Sequence, residues 1–74
     1  MPRYYFHVRR GQCTVIDQEG TELANEIEAA LEAERRGRAI ATSDALKGIP
    51  PRGGLIIVDD ERDNSVVDIP LEIG

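Results

Sequence analysis

Apolar and polar residues alternate along Arg-Tyr-Tyr-Phe-His-Val-Arg at positions 3–9. Tyr4, Phe6 and Val8 fall on one side of an extended chain, and Tyr5, His7 and Arg9 on the other. Period-two alternation of β-forming residues predicts a strand half-buried on one face. Gly11 follows in Arg-Arg-Gly-Gln and is free to take a positive φ. Cys-Thr-Val-Ile-Asp at 13–17 then returns as a second strand, so the first 17 residues predict a β-hairpin. Asp17-Gln-Glu-Gly20 predicts a turn: the Asp17 side chain can hydrogen-bond back to the chain, and Gly20 supplies a left-handed position.

From residue 25 the period changes. Asn25 with Glu28 three places on has the form of a capping box, and residues 25–47 predict one helix. Ile27, Ala30, Leu31, Gly37, Ala41 and Ala45 make its expected buried stripe, widened by Ala33 and Ile40. Glutamates precede arginines, an order that suits the helix dipole and allows Glu32–Arg36 and Glu34–Arg38 pairs. Gly48 marks the C-terminus, and Pro50-Pro51 prevents continuation. After a loop at 50–54, Leu-Ile-Ile-Val-Asp-Asp at 55–60 predicts a third strand, 61–64 a turn, and 65–73 a fourth strand. Ile56 and Val58 are placed toward the core, with Val67, Ile69 and Leu71 sharing one face of the last strand. Pro70 has no amide hydrogen, so that strand is an edge or ends there. The sum is an α+β fold, β-β-α-β-β: a four-stranded, mainly antiparallel sheet with one helix packed on one face, in a single small domain spanning 1–74.

One helix leaves the second face of the sheet bare. By alternation that face carries Tyr5, His7, Cys13, Val15, Ile57 and Val66, about half of them apolar. An open sheet face should be mostly polar, and an apolar patch on one marks a partner surface. Tyr5, His7, Val15, Ile57 and Val66 are therefore the candidate interface. Length sharpens the point. A chain of 74 residues buries a modest core and usually needs a staple. With one cysteine and one histidine, neither an internal disulfide nor a Cys/His zinc site can form. Self-association is the expected staple, and a lone thiol fits a reducing cytoplasm. No apolar run is long enough for a membrane span.

The net charge is −5. It is distributed in blocks: +3 over residues 1–10, −7 over 11–34, +4 over 35–52 and −5 over 53–74. Opposed blocks favour association of one copy with another, while an acidic total repels nucleic acid.

The run "MPRYYFHV", the turn "DQEGTEL", the alanine-rich helix, "IIVDDE" and the "VDIPL" ending together resemble a family of small bacterial proteins of unknown function. Its members begin Met-Pro-Arg-Tyr-aromatic-Phe-His and continue with Asp-x-x-Gly-x-Glu-Leu. The resemblance covers nearly the whole chain and implies a shared fold of this size. It carries over no catalytic residues. Arg62-Asp63-Asn64 stands where the family usually has the glycine of the last hairpin turn.

No catalytic constellation, cofactor motif or metal site emerges. His7 and Cys13 on neighbouring strands have the composition of a thiolate–imidazole pair, but no third group orients them. Asp59, Glu61 and Asp63 have alternate spacing without the glycine and distal glutamate of a calcium loop. The leading expectation is a small cytoplasmic protein-interaction module acting as a homodimer. One alternative is a nucleic-acid-associated or antitoxin-like regulatory partner, resting on Arg3, Arg9 and Arg10 beside Tyr5 and His7. The other is a ligand-binding or enzymatic site at a subunit interface near Tyr5 and His7.

Overall fold

The helix enters the fold through its smallest residues. In the computed structural model, which describes residues 1–48 and 54–71, α1 spans Glu26–Leu46 and follows the strands β1 (Arg3–Arg10), β2 (Cys13–Val15) and β3 (Thr21–Glu22). It precedes β4 (Gly54–Asp60) and β5 (Ser65–Pro70). The predicted proline stop at 50–51, with the rest of the loop up to 53, lies outside the described residues. The expected α+β architecture holds: one helix packs on an antiparallel sheet ordered β2-β1-β4-β5. The two-residue β3, read from sequence as part of a turn, pairs with Arg3 and Tyr4 on the edge of β1 that β2 also uses.

Helix capping follows the sequence closely. The Asn25 side chain accepts a hydrogen bond from the Glu28 amide at 2.9 Å, and Glu26 and Glu28 put negative charge at the first turn. Gly48 takes φ +76 just past the C-terminus and its amide donates to the Ala45 carbonyl. The arginines, however, sit in the middle of α1, with no basic residue in its last turn.

The buried stripe differs from the expected one. Ala29, Ala33, Gly37, Ala41 and Asp44 face the sheet, while Ile27 (71% exposed), Leu31 (55%) and Leu46 (85%) point outward. Small residues win because they let the helix backbone approach the sheet, which supplies the apolar bulk itself. Tyr4, Phe6, Ile56, Val58 and Leu71 form the core with Ala29 and Ala33. A methyl group on Gly37 would sit 3.5 Å from Ile56 Cδ1 and Leu71 Cδ2, ordinary van der Waals contact. At the far end of the stripe, Asp44 is buried and meets Arg10 Nη2 at 2.8 Å. This pair ties the end of β1 to the end of α1 and neutralises an anion placed at the unfavourable pole of the helix.

The β4–β5 hairpin is closed by Asp60. Its Oδ1 accepts the amides of Arg62 at 2.8 Å and Asn64 at 2.9 Å. Asp63 takes the positive φ, +62, that glycine usually supplies, and aspartate is among the residues that tolerate it. A bulge follows at Val66, because Asp59 pairs with Ser65 while Val58 pairs with Val67. β5 is an edge strand ending at Pro70, as a proline there requires. No helix among the described residues is long and apolar enough to cross a membrane.

Since a methyl at Gly37 meets no clash and glycine disfavours a helix interior, Gly37→Ala is expected to stabilise the protein by about 1 kcal/mol. Gly54→Ala is expected to destabilise it, because its Cβ would lie 2.6 Å from Leu71 Cδ1. Urea unfolding of both variants measures the two opposite shifts.

Candidate functional site

Along its outer edge β1 lacks a continuous partner. β2 pairs with Val8–Arg10 and β3 with Arg3 and Tyr4, leaving the stretch between them to the β2–β3 loop. Asp17 bridges the gap. Its Oδ2 accepts the Phe6 amide at 3.1 Å, in place of a strand carbonyl. Its Oδ1 accepts the Glu19 and Gly20 amides, each at 3.1 Å, which shapes the turn expected from the sequence. Gly20 is needed there for two reasons. It takes φ +73, and a Cβ would lie 2.7 Å from Arg3 Cγ and 3.0 Å from the Tyr5 ring.

Burial alone would push the Asp17 carboxyl up. The amides of Phe6, Gly20 and Glu19 and the charge of Arg36 outweigh it and hold the carboxyl below the ordinary aspartate range. The Asp17 backbone amide in turn donates to His7 Nδ1 at 3.1 Å. His7 Nε2 lies 3.2 Å from Asp59 Oδ2. Accepting at Nδ1 and donating at Nε2, the ring is the neutral tautomer with both nitrogens engaged, and its side chain is only 16% exposed. Such a histidine locks a loop to a strand and offers no nitrogen to a substrate.

On the helix side of the same loop, the Arg36 guanidinium carbon stands 4.2 Å from the Phe6 ring centroid. Arg36 Nη2 donates to Thr21 Oγ1 at 3.0 Å and Nε to Glu32 Oε2 at 2.7 Å, the expected Glu32–Arg36 pair. Glu32 also pairs with Arg35. Burial raises the Glu32 carboxyl, and its hydrogen bonds to Arg36 and Arg35 bring it below the usual glutamate range. A cleft of about 550 Å³ opens here, lined by Phe6, Ile16, Asp17, Thr21 and Arg36 among others. Of its charged groups, Asp17 is matched to backbone amides and Arg36 to Glu32 and Thr21. A larger concavity of about 750 Å³ runs along the outer surface of α1, where Arg35 and Arg38 separate Leu31 from Leu46. Glu34 and Arg38, paired by spacing in the sequence, form no ion pair among the described residues.

No described helix or strand covers the sheet face opposite α1, though the β2–β3 loop reaches Tyr5 and His7 at its edge. The register brings Tyr5 opposite Asp59, His7 opposite Ile57, Arg9 opposite Leu55, Ile57 opposite Asp68 and Leu55 opposite Pro70. Directly paired residues share a face. Tyr5, His7 and Ile57 thus come together as expected, and Leu55 joins Ile57 to make a continuous half-buried apolar band. Arg3 is occupied by Glu22 Oε1 at 3.0 Å and the Glu19 carbonyl at 2.7 Å.

Three members of the expected face, Cys13, Val15 and Val66, sit elsewhere. Val15 pairs with Val8 and Cys13 with Arg10, so both belong to the helix side of the sheet, where Val15 is 68% exposed beyond the reach of α1. The cause is the two-residue turn at Gly11-Gln12: it pairs odd positions of β1 with even positions of β2, so Thr14, not Cys13 or Val15, shares the face of Arg9. His7 and Cys13 are therefore no thiolate–imidazole pair. Val66 occupies the bulge and packs against the core cluster. Of the acidic residues at 59–63, Asp59 faces His7 and Asp60 organises the turn, its carboxyl lowered first by the Asn64 amide, while Glu61 and Asp63 are exposed. Among the described residues no group of His, Cys, Asp or Glu is arranged to hold a metal ion. Arg9, singled out in the sequence only for a nucleic-acid reading, lies on this face opposite Leu55, and Asp68 joins it opposite Ile57. Both are exposed and without an ion-pair partner among the described residues.

A family model described as a domain of unknown function, DUF6894, matches residues 3–72, and the chain belongs to that family. No curated protein and no solved structure matches it.

A carboxyl lowered by folding contributes stability that is present above its unfolded pKa, near 3.9 for aspartate, and lost as pH falls through the folded value. Asp17→Asn removes the charge that four groups depend on, and is expected to cost about 1–3 kcal/mol at neutral pH. It is also expected to flatten the loss of stability below about pH 4. Unfolding midpoints of both proteins from pH 7 to pH 2 measure both effects.

Proposed function

We propose that this protein is a small cytoplasmic interaction module that works as a homodimer, joined through the sheet face opposite α1. The carrying observation is the apolar group of Tyr5, Ile57 and Leu55 on a face that no described helix or strand covers. A second sheet laid on that band completes a β-sandwich-like layer and removes the band from water. The small size of the chain points the same way, since neither a disulfide nor a zinc site is open to it. The exposed thiol of Cys13 supports a reducing compartment. The outer face of α1 is a poorer seam, because its exposed leucines are interrupted by arginines. A nucleic-acid surface draws little support: Arg3 is paired with Glu22, and Arg10 with Asp44 on the opposite side of the sheet.

Absolute mass by light scattering, over a wide range of protein concentration, tests the reading. The wild type is expected to be a dimer that dissociates only on strong dilution. Ile57→Glu and Tyr5→Glu are expected to be folded monomers, with folding checked by their unfolding transitions. A monomeric wild type overturns the proposal. So does loss of the dimer in Leu31→Glu or Leu46→Glu with Ile57→Glu unaffected, which would move the contact to the helix.

A further inference from the structure

Among the described residues, three ion pairs or hydrogen-bonded partners account for other charges near the open face: Arg3 with Glu22, Arg10 with Asp44 behind it, and His7 with Asp59. Arg9 and Asp68 remain. Arg9 lies in the row Arg9–Leu55–Pro70 and Asp68 in the row His7–Ile57–Asp68, each row running across β1, β4 and β5. The rows are two residues apart, roughly 7 Å, and the outer strands are separated by roughly 10 Å. The two charges therefore stand roughly 12 Å apart at opposite corners of a rectangle whose centre is the Leu55–Ile57 segment of β4. They are too distant to pair within one chain.

Two identical faces packed together are related by a two-fold axis lying between them. An axis along the strands sets Arg9 over Pro70 of the second copy. An axis across the strands sets it over His7. The first arrangement covers each guanidinium without a counter-ion, which is costly. The second sets it beside His7, whose Asp59 partner is already engaged. An axis running diagonally, perpendicular to the line from Arg9 to Asp68, sets each Arg9 over an Asp68 and lays Leu55 and Ile57 of the two copies against each other.

Resting on the sheet-face reading above, we propose that Arg9 and Asp68 set the orientation of the dimer, each Arg9 pairing with Asp68 of the second copy across this diagonal axis. The strands of the two sheets then cross at roughly 70°, nearer the orthogonal class of sheet packing than the aligned one. The neutral His7 comes to lie near Ile57 of the second copy, an apolar neighbour that its neutral tautomer suits.

Charge reversal decides the matter, because the two residues are exposed and their replacement does not disturb the core. Dimer dissociation constants are measured by light scattering and sedimentation for the wild type, Arg9→Glu, Asp68→Arg and the double variant. Each single reversal puts two like-charge pairs into the contact and is expected to weaken the dimer at least about tenfold. The double variant restores opposite charges and is expected to return to within about threefold of the wild type. Single variants that dimerise as well as the wild type, or a double variant no stronger than either single, overturn the proposal. Ile57→Glu separates this failure from that of the face itself. If it dissociates the dimer while the reversals do nothing, the orientation alone is wrong. If it too leaves the dimer intact, the sheet-face contact is wrong.

Discussion

One helix can cover one face of a sheet, and everything else in this fold is arranged around that asymmetry. The covered side is made by close approach. Ala29, Ala33, Gly37 and Ala41 present little more than backbone, so Ile56 and Val58 can be buried completely beneath them. With so short a reach between layers, the bulky apolar residues of the core must come from the strands. Ile27, Leu31 and Leu46 are left outside, while Ile40 packs against the margin of the core. Among the described residues no helix or strand forms a second layer on the other side of the sheet.

The edges of the sheet are treated with the same economy. β1 is central in hydrogen bonding yet has two short strands and a loop along one side. Asp17 makes that combination workable, by standing in for the missing strand at Phe6 and by holding the turn and His7 at once. Arg36 closes the same junction from the helix side, stacked on Phe6 and bonded to Thr21. The single histidine of the chain is thus spent on architecture, which moves attention from chemistry to surface.

Much of this was legible in the sequence. The helix bounds followed from Asn25 and Gly48, because capping is local and depends on a few residue types. Strand identity and the inward placement of Tyr4, Phe6, Ile56 and Val58 followed from period two. What escaped was set by geometry between elements. The face of Val15 depended on the parity of a two-residue turn, and a single step of register exchanges the two sides of a strand. The rotation of α1 escaped because Ile27 and Leu31 dominate any hydrophobicity sum, whereas the packing rewards thinness. The pairing of β3 rests on two residues whose strand conformation is imposed by Arg3 and Tyr4 across from them.

The alternating charge blocks of the sequence resolve differently in three dimensions. Read along the chain, they suggest that the basic block of one copy meets the acidic block of another. In the fold part of that complementarity is consumed internally, by Arg3 with Glu22, Arg10 with Asp44, and Arg35 and Arg36 with Glu32. What remains outside is an excess of negative charge on a chain carrying −5 overall. Two such chains repel at long range, although at physiological ionic strength the repulsion is largely screened beyond about 8 Å. Association therefore cannot draw on bulk electrostatics. It must be carried by apolar area, with charges acting only where they touch. A band of Tyr5, Ile57 and Leu55 flanked by one cation and one anion on opposite corners meets both conditions. In the proposed dimer it would supply area to drive contact and a local pattern to restrict how that contact is made.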